Sequence, residues 1–248
     1  MKSIPVLTEK TILELEKSLE KLVQVKYNKT RLPFVTLKYA QTLDGKIATV
    51  TGDSRWISGP SSLGLAHRMR SSHDAVLVGV NTIIRDDPRL TVRLTKGKNP
   101  QKIIVDSRLR MPLDSNILKG EAAPDAIIAT TSLSDQGKIK RIQSTGAEVW
   151  LLKKDRLDRV ELQNLLKELG QRNFRSILVE GGSKIITSFF KKRLADHLVV
   201  FIANKIVGRG INSVSLSTPY GFKNLVSFSS LRYFLSGDDV ILEALINK

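Results

Sequence analysis

Short β-branched runs alternate with amphipathic helical patterns through the body of the chain, and that alternation restricts the fold more than any other feature. The runs lie at residues 34–40, 75–80, 102–106, 126–130, 148–152, 176–180 and 198–203, with helical periodicity at 60–71, 134–144, 158–169 and 183–193. An uninterrupted apolar run suits a strand covered on both faces, so helices must lie on both sides of a mostly parallel sheet. The end of the chain departs from this rhythm. Residues 225–235 and 239–246, separated by Ser236-Gly237-Asp238, read as a C-terminal antiparallel hairpin added to the sheet. Before the first run, Thr11-Ile12-Leu13-Glu14 has the form of a capping box, and Ile12, Leu15, Leu19 and Leu22 share one helix face. This predicts an N-terminal helix that packs on the domain or on a partner subunit, joined to the first strand by a polar linker at 26–32. The expected class is α/β.

Composition bounds what such a fold can do. With 248 residues, 41% hydrophobic and 26% charged, the chain suits one large globular domain. No apolar run reaches the roughly 18–20 residues needed to cross a bilayer. The first ten residues include Lys2, Glu9 and Lys10 and hold no apolar signal core, so the expectation is a cytoplasmic protein. There is no Cys, and His67, His73 and His197 are scattered, which disfavours a metal site and leaves each His as a surface or packing residue. The net charge of +16 raises a rival of another class, a basic nucleic-acid-binding domain. Basic residues are dispersed, however, and aromatics rarely interleave with them, so no stacking platform emerges and small anionic ligands are the expected partners.

Strand ends carry the candidate chemistry. In an open α/β sheet ligands gather beyond the carboxyl ends of the strands. The run at 75–80 gives way there to Asn81, Thr82, Arg85, Asp86, Asp87 and later Arg93, although Asp-Pro is also ordinary turn chemistry. After 176–180 come Gly181 and Gly182 and a helix from about Ser183. Glycines admit a ligand closely, and a helix N-terminus offers free N–H groups to a phosphate; a plain turn has the same pattern. Asp106-Ser107-Arg108 ends another strand and reads either as a polar loop or as a phosphate-monoester contact. Lys38 is the odd charge in its strand, where a lysine either snorkels to water or does chemistry. The chain lacks both Gly-x-Gly-x-x-Gly and Gly-x-x-x-x-Gly-Lys-Ser/Thr, so neither a standard Rossmann dehydrogenase nor a P-loop enzyme is expected.

Taken in order, Leu37-Lys-Tyr-Ala-Gln-Thr-Leu-Asp-Gly-Lys46, Thr51-Gly-Asp-Ser-Arg-Trp-Ile57, Val78-Gly-Val-Asn-Thr82, Asp86-Asp-Pro-Arg-Leu-Thr-Val-Arg93, Val105-Asp-Ser107 and Val179-Glu-Gly-Gly182 resemble the pyrimidine reductase domain of riboflavin biosynthesis, a family similar in fold to dihydrofolate reductase. The resemblance divides the chain into a helical extension at 1–32 and a reductase domain at 33–248. It implies NADPH-dependent reduction of a ribosylaminopyrimidine 5′-phosphate to the ribitylamino product, by a homodimer, on either the deaminated or the diamino pyrimidine. It implies substrate contacts from Ser54, Arg70, Asp86, Leu90, Arg93 and Glu180, with Arg70 and Arg93 converging on phosphate. It implies NADPH contacts from Ala40, Trp56, Thr82, Ser107 and the run Gly182, Ser183, Lys184, Ile185, Ile186, Thr187 and Ser188. Asp86 and Lys38 are the candidate catalytic acids. Larger family members also carry a deaminase domain whose metal-binding His and Cys residues are missing here, so deamination is expected from another polypeptide. The alternative within the fold is an NADPH reductase of another substrate.

Overall fold

A computed structural model describes residues 4–54, 57–216 and 225–247. Its framework is a nine-stranded sheet built from β1 (Phe34–Thr42), β3 (Ala75–Gly79), β4 (Gln101–Val105), β5 (Ala126–Thr130), β6 (Glu148–Leu151), β7 (Ser176–Val179), β8 (His197–Ala203), β10 (Phe228–Ser236) and β11 (Asp239–Ile246). The order is β10-β11-β8-β1-β7-β3-β4-β5-β6, parallel from β8 to β6 and antiparallel at β8-β11-β10. The expected mostly parallel sheet and terminal hairpin are both present. Each buried strand serves two cores because successive side chains point to opposite faces. Leu77, Ile103 and Ile127 enter one cluster, and Val76, Val78, Ile104 and Ile128 enter the other. The first face is covered by α5 (Leu162–Gln171) and α6 (Ser183–Lys191), through Leu165, Leu166, Leu169, Ile186 and Phe189. The second is covered by α3 (Val80–Asp86) and α4 (Gln136–Gln143), and next to them by α2 (Pro60–Ser71) with Leu7 and with Leu15 of α1 (Glu9–Thr30).

Three sequence expectations are corrected. Helix α1 starts earlier and ends later than its apolar pattern: Thr8, not Thr11, accepts from a first-turn N–H, and the supposed linker is helical to Thr30. Its last turn is an anchor. Tyr27 is buried and donates to the Gly170 carbonyl, while Lys26 pairs with Asp196, whose Oδ2 also accepts from the Val35 N–H at 2.8 Å. The charged stretch after β3 begins as a helix, α3, so Asp86 ends a helix rather than lying in a loop; Asp87 follows it in the left-handed region at φ 38°. Helix α5 starts at Leu162, leaving 153–161 as a tight turn. Of the two roles left open for the histidines, the structure shows packing: His67, His73 and His197 are all buried.

A two-stranded ribbon, β2 (Lys46–Thr49) with β9 (Gly210–Asn212), lies apart from the main sheet. Just before it, Gly45 takes φ 76° in the expected Asp-Gly turn, and the Asp44 carboxylate accepts from the N–H groups of Val207 and Gly208. That turn therefore ties the ribbon's two arms together.

Candidate active site

The carboxyl ends of β1, β7, β3 and β4 open into one cavity of about 620 Å³, with the ribbon contributing Ala48 and Ile211 to its wall. The volume suits a cofactor-sized ligand. Strand β1 supplies Lys38 and Ala40, the β7 end supplies Glu180, Gly181 and Gly182, α3 supplies Asn81, Thr82 and Asp86, and the β4 end supplies Ser107. Parallel strands with short exits bring these residues together although they are scattered from 38 to 182 in the sequence.

At the floor, Gly181 holds φ 107°, and a Cβ there would lie 2.6 Å from the Thr82 hydroxyl. No side chain fits that position. At Gly182 a Cβ would meet nothing within 4 Å, so the backbone faces open cavity just where α6 begins. Gly182 is also the N-cap and provides no side-chain cap, which leaves first-turn N–H groups for a ligand anion. A bare helix N-terminus behind a glycine cradle fits the phosphates of a dinucleotide cofactor. Of the expected run, Gly182, Ser183, Lys184, Ile185 and Ser188 line the cavity. Ile186 and Thr187 do not: Ile186 is core, and the Thr187 hydroxyl accepts from the Ser215 N–H at 3.0 Å. One helix has only one face to offer the cavity.

Charge is organised at the β1-β7 end. Glu180 is buried and clasped by Arg70 of α2, Nε to Oε1 at 3.2 Å and Nη2 to Oε2 at 2.7 Å. Burial alone would raise the Glu180 carboxyl, but Arg70 and then Lys38 outweigh it and hold it below the usual carboxylate value. Lys38 lies over the Phe201 ring at 4.5 Å, and burial lowers its ammonium despite Glu180 nearby. Asp86 shifts oppositely. Desolvation at the end of α3 raises its carboxyl against the pull of Arg85, although the side chain stays solvent-accessible. The cavity thus presents a carboxyl disposed to hold a proton, an ammonium disposed to release one, and a fixed carboxylate.

Other expected residues fall outside the cavity wall. Arg70 does not line it, because Glu180 and the Thr91 carbonyl take its guanidinium N–H groups. Arg93 is exposed, its backbone N–H donates to His67 Nδ1 at 2.8 Å, and burial, Arg70 and Arg89 together lower its side chain's proton affinity. Leu90 is 2% exposed and packs in the core, with φ at 52°. Neither Arg70 nor Arg93 is among the residues that line the cavity. Ser54 lines the wall. Trp56 lies outside the described residues. Arg108 is exposed and absent from the wall, whereas Arg110, Arg159 and Lys192, none singled out from sequence, line it. The turn 153–161 brings Arg159 there, tied down by the Val160 N–H donating to Ser107 Oγ at 2.9 Å. Among the described residues no group of acidic, His or Cys side chains forms a metal site.

Residues 33–242 match the family model described as the RibD C-terminal domain. The riboflavin biosynthesis protein RibD of Aquifex aeolicus is 44% identical over 181 residues, 73% of this chain and 49% of that protein. The 2,5-diamino-6-ribosylamino-4(3H)-pyrimidinone 5′-phosphate reductase of the same organism is 35% identical over 224 residues, 87% of this chain and 98% of that protein. The chain thus spans about half the length of the first of these relatives and nearly all of the second. Among solved structures, a Thermotoga maritima diaminohydroxyphosphoribosylaminopyrimidine deaminase/5-amino-6-(5-phosphoribosylamino)uracil reductase has a TM-score of 0.71 at 30% identity, over 94% of this chain and 62% of that one. Dihydrofolate reductase of Enterococcus faecalis, TM-score 0.51 at 11% identity over 87% of this chain and 97% of that one, shares the fold alone.

Proposed function

The chain belongs to the RibD C-terminal domain family, and from that premise we propose that it uses NADPH to reduce a ribosylaminopyrimidine 5′-phosphate to its ribitylamino form. The observation that carries this reading is the single cavity in which Lys38, Asp86 and Glu180 face the glycine cradle at the start of α6. Ala40, Thr82, Ser107, Gly182, Ser183, Lys184, Ile185 and Ser188 are the residues that would hold the cofactor, with Ser54 and Glu180 on the substrate. Bound there, NADPH supplies the hydride.

Asp86 is the acid in this reading. Its raised proton affinity suits delivery of a proton to the ribose ring oxygen, breaking the C1′–O bond as the nitrogen lone pair forms a protonated imine at C1′. That protonated imine would accept hydride at C1′, and its nitrogen would keep its proton in the amine product. Lys38, whose ammonium lies at the cavity wall, would donate a hydrogen bond to the opened hydroxyl. Arg93, with Arg70 and Arg89 close enough to sense its charge, offers the substrate phosphate a cationic landing site at the cavity's edge. The enzyme in this reading works as a cytoplasmic homodimer.

The test is anaerobic NADPH oxidation with the deaminated and the diamino pyrimidine offered in turn. Turnover of one or both supports the proposal, and the preferred one gives this enzyme's place in the order of steps. Absence of turnover with both refutes the substrate assignment and favours a reductase of another substrate.

A further inference from the structure

The charge lining the cavity is uneven along its length. At the β1-β7 end Lys38 and Arg85 are matched by Glu180 and Asp86, whereas at the end beyond Ser107 the wall holds Arg110, Arg159 and Lys192 against Asp155. Four strands, β1, β7, β3 and β4, separate the two ends, three spacings or roughly 14 Å. A ligand crossing that distance leaves its reacting group at the balanced end and needs its anion at the other.

The cationic end is built. Asp155 Oδ1 accepts from the backbone N–H groups of Leu157 and Arg159, and its Oδ2 accepts from Arg159 Nη2 at 3.1 Å and lies 3.7 Å from Lys192 Nζ. Lys192 Nζ also donates to Glu161 Oε1 at 3.2 Å, so Asp155 and Glu161 together hold Arg159 and Lys192, and Arg110 adds a further cation to this end. On the other wall, Arg110 Nη2 donates to Asn81 Oδ1 at 2.8 Å, which aims a second guanidinium from the start of α3. The Ser107 hydroxyl, holding Val160, keeps the turn that carries Arg159 against the β4 end.

We propose that Arg159 and Arg110 form the phosphate-monoester subsite that takes the 2′-phosphate of the cofactor's adenosine ribose and so selects NADPH over NADH. This rests on the reductase reading above. It places the phosphate-monoester contact not at Arg108, which lies off the wall, but at side chains that the sequence leaves unmarked. A guanidinium fork matches a phosphate dianion with charge-assisted, paired hydrogen bonds, and NADH presents only a hydroxyl there. The same chemistry would suit the substrate's 5′-phosphate, so the probes must separate the two.

The experiment is fluorescence titration of the full chain with NADPH and with NADH, and competition by 2′,5′-ADP and by ribose 5-phosphate. Wild type is expected to prefer NADPH. Arg159→Ala and Arg110→Ala should each raise the NADPH Kd about tenfold or more, leave NADH within about twofold, and weaken 2′,5′-ADP in parallel. Arg159→Lys should retain part of the preference, and Arg108→Ala should change nothing. Equal losses for both dinucleotides, an unchanged NADPH Kd in both Ala variants, or a loss confined to ribose 5-phosphate would each overturn the subsite while leaving the reductase reading intact. A wild type that binds neither dinucleotide would remove the reading and the subsite with it.

Discussion

Arg70 clasps Glu180 with two parallel hydrogen bonds, 3.2 Å and 2.7 Å, across the boundary between helix α2 and the end of strand β7. The pair places a fixed carboxylate at the cavity wall and closes the gap behind it. Both side chains are largely removed from water, so each is costly to leave alone.

Arg70→Ala is accordingly expected to destabilise the fold by about 3–5 kcal/mol, because it strands a buried carboxylate. The double variant Arg70→Ala/Glu180→Ala should recover part of that loss. Urea unfolding of the single and double variants checks this, and additive effects would show that the pair is not coupled.

Asp86→Asn should lower kcat by about a hundredfold or more while leaving the NADPH Kd nearly unchanged, since it removes a proton donor and no cofactor contact. Desolvation raises the Asp86 carboxyl, so its acid form persists to higher pH than that of an exposed aspartate, and kcat should fall as pH climbs through that ionisation. Steady-state kinetics across pH provide the check. An unchanged kcat would take Asp86 out of the mechanism.

Neighbouring glycines should respond differently. Gly181→Ala forces a Cβ against Thr82 in a left-handed backbone and should cost about 1–3 kcal/mol and much of the dinucleotide affinity. Gly182→Ala has room and should leave stability nearly intact. Thermal melts beside binding titrations distinguish the two, and equal effects would contradict the cradle.

His73 should make the fold acid-sensitive. Buried, with Nδ1 donating to the Met69 carbonyl at 2.7 Å and Nε2 3.0 Å from the Thr36 hydroxyl, its ring is pushed down to about 4 by desolvation. A depressed folded value means that the neutral ring stabilises fully above the unfolded value of about 6.5, and that this stability is lost as pH falls towards 4. The contribution is on the order of 3 kcal/mol. Urea midpoints between pH 7.5 and 4.5 should fall more steeply for wild type than for His73→Gln, and parallel slopes would contradict this.

The sheet was legible because its strands are covered on both faces and read as apolar runs, and the cradle because Gly181-Gly182 follows one of them directly. Helix α3 was not: it has only seven residues, and its N-cap Gly79 has no side chain to mark a start. The ribbon leaves no local signature in the sequence because Lys46 pairs with Asn212, far away in the chain. The last turn of α1 looked like a polar linker because its Lys26 and Tyr27 find their partners, Asp196 and Gly170, only in the folded chain. Arg159 was illegible for the same reason, since its place depends on a turn folding back onto Ser107. The resemblance implies roles for Arg70 and Leu90 but carries no information on their surroundings: one side chain is engaged by Glu180 and the other is core.

In the proposed reaction, hydride passes from NADPH to C1′ of the ribosyl group inside this cavity. Reactions run with NADPH carrying deuterium on one or the other face of C4 test it most directly, with the product analysed by mass and NMR. One of the two cofactors should place a single deuterium at C1′ of the ribityl chain. Deuterium at another carbon, or product formed without label from either cofactor, would contradict the account.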